Sequence, residues 1–274
     1  MNPRALLASR GAHPKKKFGQ NFLMDGNASR RIARLSCEDL NGARVLEIGA
    51  GTGALTLALL EEGARVTALE IDPELVEILR EREELRDAQI VQADALTFDY
   101  AAFAADGRWR AAGNLPYNIA TPLIVELVEM DNGPETIVAM IQKDVADRLA
   151  ARPSTPSYGS LSVAVQYAME IERAFTLGPR AFYPAPNVDS TVVRLRRRAQ
   201  PAVHPRDVAT FRKVVRAAFA YRRKTLANSL HLALGLERQT IARAIAASNL
   251  PAESRGEQLD LQAFSTLADQ LAAG

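Results

Sequence analysis

The chain has 274 residues, 47% of them hydrophobic and 24% charged, which suits one α/β domain of ordinary size with a smaller appendage. No apolar run reaches the roughly 18 residues of a membrane span, and Lys15-Lys16-Lys17 has no apolar signal core behind it, so a cytoplasmic protein without a membrane partner is expected. The one cysteine, Cys37, excludes an internal disulfide and a cysteine-rich zinc site, and His13, His204 and His231 are scattered, so no metal site is expected. Net charge is only +2, yet residues 1–34 hold eight Lys/Arg against Asp25 alone and residues 191–230 hold eleven against Asp207 alone. Basic ends on an acidic middle suit a polyanionic partner, although such runs also occur as plain solvated surface.

In chain order, residues 1–30 read as a polar, basic arm ending in Phe18-Gly19-Gln20-Asn21-Phe22-Leu23. Residues 44–48 form an apolar run typical of a buried strand, and it leads straight into Gly49-Ala50-Gly51-Thr52-Gly53. Leu55, Leu59 and Leu60 then mark one face of a helix over 54–62, and residues 65–69 read as a second strand ending at Glu70. Asp72-Pro73 supplies an N-cap and a first-turn proline for a helix continuing to Arg86. Further strands are expected at 89–92 running into Asp94, at 109–113 running into Asn114, and at 136–141. This alternation predicts a parallel, doubly wound sheet that binds ligands at the carboxyl ends of its strands.

Residues 152–158 read as an exposed loop, and late strands at 171–177 and 191–195 flank the proline-rich turn 182–187. From about Pro201 the pattern turns helical, with segments over 204–223, 225–234, 238–248 and 261–271. The expected division is therefore a basic arm over 1–30, an α/β domain over 31–200 and a small helical domain over 201–274.

The glycine turn lets the backbone approach a ligand closely, because glycine lacks a Cβ and tolerates positive φ; the same residues also serve a helix that merely packs tightly on a strand. Glu70 lies 21 residues after Gly49, where such folds place a carboxylate for ribose hydroxyls. A dinucleotide site reads Gly-x-Gly-x-x-Gly, with its pyrophosphate at the helix N-terminus, whereas here the third glycine comes one residue early. That spacing favours a cofactor without phosphates. S-adenosylmethionine offers a ribose to Glu70, an adenine amine to Asp94 and a carboxylate to the amides of residues 49–53. Taken singly, Glu70 and Asp94 are equally ordinary solvated strand ends.

Asn114-Leu115-Pro116-Tyr117 suggests the acceptor. An exocyclic adenine amine is a poor nucleophile, since its lone pair is delocalised into the ring. Two oxygen acceptors on its hydrogens, the Asn114 side chain and the Leu115 carbonyl, would favour a pyramidal nitrogen aimed at a methyl group. Tyr117 offers a plate for a flipped or unpaired base, with Phe182 as the opposing face. The bland alternatives are a strand-ending turn for residues 114–117 and a core position for Phe182.

These motifs together resemble the small-subunit ribosomal RNA adenine dimethyltransferases. The resemblance covers nearly the whole chain and rests on Phe18-Gly-Gln-Asn-Phe-Leu23, Glu47-Ile-Gly-Ala-Gly-Thr-Gly-Ala-Leu-Thr56, Glu70-Ile-Asp72, Asp94-Ala95, Asn114-Leu-Pro-Tyr-Asn118, the turn Phe182-x-Pro-x-Pro-x-Val-Asp-Ser190, and Arg222-Arg-Lys-Thr-Leu226. It implies a Rossmann-like, S-adenosylmethionine-dependent methyltransferase domain with a small C-terminal helical domain. The implied reaction is N6,N6-dimethylation of two adjacent adenosines in the 3′-terminal hairpin loop of small-subunit ribosomal RNA, by a monomer acting within an assembling subunit. By the same resemblance Asn21, Leu23, Gly49, Glu70, Asp94 and Asn114 line the cofactor site, and Asn114 and Tyr117 face the adenine with Phe182 stacked on it. Arg222, Arg223 and Lys224, on a helix, are implied to grip RNA phosphates. The family often has Pro and Leu where this chain has Ala50 and Thr52, and a basic residue at Asn187.

Three other readings share parts of this pattern. A macrolide-resistance enzyme performs the same chemistry on large-subunit RNA; the Asn-Leu-Pro-Tyr-Asn form and Arg222-Arg-Lys-Thr-Leu226 tilt against it. A non-catalytic ribosome-assembly or transcription factor would keep the fold as an RNA-binding module, but would not need Glu70, Asp94, Asn114 and Tyr117 together. A nicotinamide dehydrogenase is disfavoured by the glycine spacing.

Overall fold

A computed structural model describes residues 3–38 and 42–272; Met1 and Asn2 of the expected arm, and the last two residues of the expected helical domain, lie outside them. The chain opens with α1 (Pro3–Ser9) and β1 (Phe22–Leu23), followed by α2 (Gly26–Cys37), whose N-cap Asp25 accepts the Asn27 and Ala28 amides. The expected alternation then runs through β2 (Arg44–Ile48), α3 (Ala54–Glu61), β3 (Arg65–Glu70), α4 (Pro73–Glu81), β4 (Gln89–Gln92), α5 (Tyr100–Ala105), β5 (Arg110–Asn114), α6 (Ala120–Glu129) and β6 (Thr136–Gln142). Next come α7 (Lys143–Leu149), α8 (Ser160–Ala168), β7 (Met169–Leu177), β8 (Phe182–Tyr183) and β9 (Ser190–Arg197). Four helices complete the chain, α9 (Val208–Ala220), α10 (Leu226–Leu234), α11 (Arg238–Ala247) and α12 (Leu261–Ala272).

Seven strands form one sheet in the order β4-β3-β2-β5-β6-β9-β7. Pairing is parallel from β4 to β6, whereas β9 runs antiparallel to β6 with Met140 opposite Val192. The parallel sheet expected from the alternation is found in those five strands, and β9 joins it in the opposite direction. An apolar run such as 191–195 carries no record of direction; the connection sets it, and no crossover helix lies between β7 and β9. The arm differs too: residues 3–9 are helical, and Leu6 and Leu7 are buried with Phe22, Leu75 and Ile78.

Two compact units are present. The first comprises the chain up to Ala146 together with Ile171–Arg197. Its core draws Ile32 and Ala33 from α2, Val45 from β2, Leu59 from α3, Val138 and Met140 from β6, and Val192 from β9. The second comprises Asp147–Glu170 with the chain from Arg198 onward, so it takes in residues 147–170 beyond the stretch that composition alone marks as helical. Its core gathers Tyr158, Val163 and Tyr167 with Phe211, Leu230, Ile241 and Phe264. No helix among the described residues is long and apolar enough to cross a membrane.

Candidate active site

In the first unit the strand order reverses between β2 and β5, which are direct neighbours with Glu47 opposite Ala112. A parallel sheet opens a crevice at such a reversal. The residues that follow β2 and end β5, Gly49 and Asn114, therefore meet there: a Cβ on Gly49 would lie 3.7 Å from the Asn114 carbonyl oxygen. Gly113 permits the approach, since a Cβ on it would fall 2.4 Å from the Ile48 carbonyl. The crevice encloses about 1000 Å³ of non-atom space, part of it open to solvent, and is lined from segments 18–23, 47–55, 69–71, 93–95 and 114–119.

The three glycines divide their work. Gly49, Gly51 and Gly53 all have positive φ, at 77°, 58° and 80°, the region glycine enters without penalty. Gly49 and Gly51 line the crevice, but Gly53 does not. A Cβ on Gly53 would fall 2.6 Å from Leu85 and 2.8 Å from Leu79, so this third glycine packs the start of α3. Ligand approach and helix packing thus belong to different residues of one turn. The Arg82 guanidinium, donating to the Thr52 carbonyl, holds the turn from behind.

Glu70, buried at the end of β3, accepts the Gly51 amide at 2.8 Å and the Asp72 amide at 2.9 Å, so it fixes the glycine turn while lining the crevice. Burial holds its carboxyl above the usual carboxylate range, against those two amide bonds. Asp94 is exposed at the mouth and accepts the Leu96 amide at 2.9 Å. A third acid, Glu47, went unremarked in the sequence. It is 1% exposed, lines the crevice, and its Oε2 has no hydrogen-bond partner; burial, with the Glu70 charge adding, pushes its carboxyl up to about 7. Its signal was a carboxylate inside the otherwise apolar strand 44–48. Ser29 of α2, equally unmarked, also lines the crevice with an unpartnered buried hydroxyl.

On the acceptor side, Asn114 donates from Nδ2 to the Asn21 carbonyl at 2.7 Å, which leaves its Oδ1 as the acceptor. Asn21 meets Asn114 through its backbone; its own side chain donates to the Gly19 carbonyl. Leu115 is buried, with its amide on the Met140 carbonyl at 3.1 Å. Tyr117 is half-buried and its hydroxyl shares a 2.8 Å hydrogen bond with Ser190, which pins the ring at the crevice wall. Leu23 lines the crevice from β1, which pairs antiparallel with β8.

Two expected placements differ. Phe182, opposite Leu23 in that pairing, is 4% exposed, belongs to the main core and does not line the crevice. In the second unit, Arg222, Arg223 and Lys224 lie in the turn between α9 and α10 rather than on a helix. Tyr221, at φ −127° and ψ 81°, ends α9, and Thr225 caps α10 through the Asn228 amide. All three cations are exposed, and among the described residues no carboxylate pairs with them.

S-adenosylmethionine fits this crevice by the chemistry of its lining. Three carboxylates and no Lys or Arg line it, which disfavours a pyrophosphate and favours a cation, while the orphaned Glu47 Oε2 and Ser29 Oγ await partners. Among the described residues no group of His, Cys, Asp or Glu is placed to hold a metal.

Comparison with known proteins identifies the family. The family model described as ribosomal RNA adenine dimethylase matches residues 11–266. The chain belongs to that family. Within the ribosomal RNA adenine dimethylase family, the Ribosomal RNA small subunit methyltransferase A of Streptococcus gordonii is 44% identical over 279 residues, covering 98% of this chain and 95% of the relative. The Pseudomonas aeruginosa protein of the same name is 45% identical, covering 94% of each. Among solved structures, a dimethyladenosine transferase from Plasmodium falciparum superposes with a TM-score of 0.72 over 90% of this chain and 95% of that one, at 22% identity, a likeness of fold. The 23S rRNA methyltransferase ErmE superposes at 0.66 over 92% and 100%, at 29% identity. Ala50 and Thr52 of the glycine turn are buried, and Asn187 is exposed.

Proposed function

We propose that this protein dimethylates N6 of two adjacent adenosines in the 3′-terminal hairpin loop of small-subunit ribosomal RNA, using S-adenosylmethionine, within an assembling subunit in the cytoplasm. The carrying observation is the crevice itself: an acidic, cation-free cofactor pocket that ends at an Asn114 carboxamide whose Nδ2 is already taken. Small-subunit relatives at 44–45% identity, against 29% for the large-subunit enzyme, favour the small-subunit substrate over the macrolide-resistance class.

When bound, S-adenosylmethionine supplies an electrophilic methyl group on a sulfonium. Glu70 and Asp94 hold its ribose and adenine, Gly49 gives it room, and Asn21 and Leu23 cover it, while the Gly49 and Ala50 amides are spent on the Leu69 carbonyl and the Gly51 amide on Glu70. Asn114 Oδ1 and the Leu115 carbonyl accept the two N6 hydrogens of the target adenine, so that the nitrogen lone pair leaves the ring plane. Tyr117 carries the base on its ring, held by Ser190. Phe182, buried behind β1 opposite Leu23, would need to be uncovered to stack on that base. Arg222, Arg223 and Lys224 supply affinity by phosphate contacts, and the shape of the subunit supplies the choice of adenosine. The protein acts as a monomer, since the RNA partner provides the surface to be covered.

The test is transfer of labelled methyl to undermethylated small subunits, to naked small-subunit RNA and to large-subunit RNA, with the product mapped. Label on adjacent adenosines of the small subunit is expected. Label in large-subunit RNA would establish the resistance-type activity instead, and binding without label would establish an assembly factor.

A further inference from the structure

A run of hydrogen bonds connects the cofactor end of the crevice to its acceptor end through residues that none of the roles above employs. It starts at Glu70, which takes the Asp72 amide. Asp72 is 1% exposed, and its carboxylate reaches the N-terminal segment: Oδ1 accepts the Lys15 ammonium at 2.7 Å and Oδ2 accepts Gln20 Nε2 at 3.0 Å. Burial opposes that charge, yet Lys15 and Gln20 outweigh it and hold the Asp72 carboxyl below its ordinary range. Gln20 also accepts the Lys15 amide at 2.7 Å through Oε1. One side chain thus closes the loop 15–20 on itself and fastens it to Asp72. The next residue is Asn21, whose carbonyl receives Asn114 Nδ2.

A carboxamide turns about a broad, roughly two-fold torsion, so Asn114 presents oxygen rather than nitrogen only while that carbonyl stays in place. The carbonyl follows a single 3-10 turn, Lys16–Phe18, that ends at Gly19 with φ 64°, and beyond it only Phe22 and Leu23 join a strand. Packing helps little here, for Lys16 and Lys17 are exposed and Gln20 and Asn21 are only half-buried. The turn orders residues 16–19 locally, and the Gln20 side chain adjoining residue 21 fastens that turn to Asp72 on the sheet side. Lys15 and Asp72 have second tasks, an ion pair with Glu74 and the cap of α4; Gln20 besides its two bonds lines the crevice, so cofactor affinity is measured alongside the rate.

We propose that Gln20 is a positioning residue for methyl transfer: fastened to Asp72, it holds the Asn21 carbonyl so that Asn114 keeps its Oδ1 toward the acceptor amine. The role rests on the amine-accepting function of Asn114 given above. Gln20 acts through Asn114, so its effect exists only where the Asn114 carboxamide does.

The experiment measures single-turnover transfer of labelled methyl to undermethylated small subunits by the wild type, Gln20→Ala, Asn114→Ala and the double variant, with cofactor affinity followed by calorimetry. Gln20→Ala is expected to slow transfer about tenfold, as loss of alignment does, with cofactor affinity and the half-saturating subunit concentration little changed. The same substitution is expected to cost almost nothing in the Asn114→Ala background. Equal slowing in both backgrounds, a loss confined to cofactor affinity, or wild-type rates would each overturn the role. If the alanine variant does not fold, Gln20→Met, which keeps the length but not the hydrogen bonds, replaces it. A wild-type protein that methylates no RNA overturns the functional reading and this role with it; an active wild type with an equally active Gln20→Ala overturns this role alone.

Discussion

Replacing Glu47 with Gln tests the physics of the crevice directly. The carboxyl has an ordinary value of 4.5 and burial raises it to about 7 in the folded protein. At about 1.4 kcal/mol per unit, ionising it in place costs roughly 3 kcal/mol of stability. The sign follows from linkage: the folded state binds the proton more tightly, so the stability present below pH 4.5 falls as pH rises and levels off above about 7. Gln keeps the shape and cannot ionise. Glu47→Gln is therefore expected to match the wild type near pH 4.5 and to exceed it by roughly 3 kcal/mol at pH 8. Urea unfolding at the two pH values measures this, with the single tryptophan, Trp109, buried in the first unit, as the fluorescent reporter of that unit. The same carboxylate should favour a cationic ligand only once ionised, so wild-type affinity for S-adenosylmethionine should climb as pH rises through about 7 and that of the variant should not. A stability gap of equal size at both pH values would refute the reasoning.

Asn114→Ala is expected to bind S-adenosylmethionine nearly as the wild type does and to lose methyl transfer by roughly a hundredfold or more, the scale of removing one aligned polar group; undiminished turnover would end its assigned role. Replacing Arg222, Arg223 and Lys224 together with Ala should weaken RNA binding and flatten the plot of log affinity against log salt by roughly two to three in slope, read by filter binding across a salt series. An unchanged slope would move the phosphate contacts elsewhere. Gly53→Ala forces a Cβ toward Leu85 and Leu79 at φ 80°, and should cost about 2 kcal/mol or more in thermal or urea unfolding. A neutral result there would show that the turn relaxes freely.

The first five strands were legible because each combined an apolar run with a sharp stop. Residues 44–48 and 89–92 match β2 and β4 end to end, and 136–141 falls one residue short of β6. Helix ends were harder. Residues 73–81 are helical and 83–85 form a tighter turn where one helix to Arg86 is expected, because the charged stretch 82–86 carries no stop signal. Among site residues, Gly49, Glu70 and Asn114 stood out because they interrupt or end strands. The burial of Phe182 was not legible, because an aromatic beside a proline-rich turn looks the same whether it faces a crevice or the pairing of β1 with β8. Glu47, hidden among apolar neighbours, looked like part of a strand.

The second unit is assembled from two stretches that flank residues 171–197, and this has a consequence for synthesis. Every strand of the sheet has been made once Arg197 is in place. Tyr167, by contrast, packs against Phe211 in a tilted pair, with ring centroids 5.0 Å apart, and Tyr158 donates its hydroxyl to the Leu259 carbonyl at 2.8 Å. A nascent chain halted near residue 200 would therefore carry α8 with its apolar side uncovered, and that helix must wait for nearly the whole remaining chain to emerge. Truncating the protein after its last strand removes more than an appendage. It strands an earlier helix, and chaperones or proteases would meet that helix first.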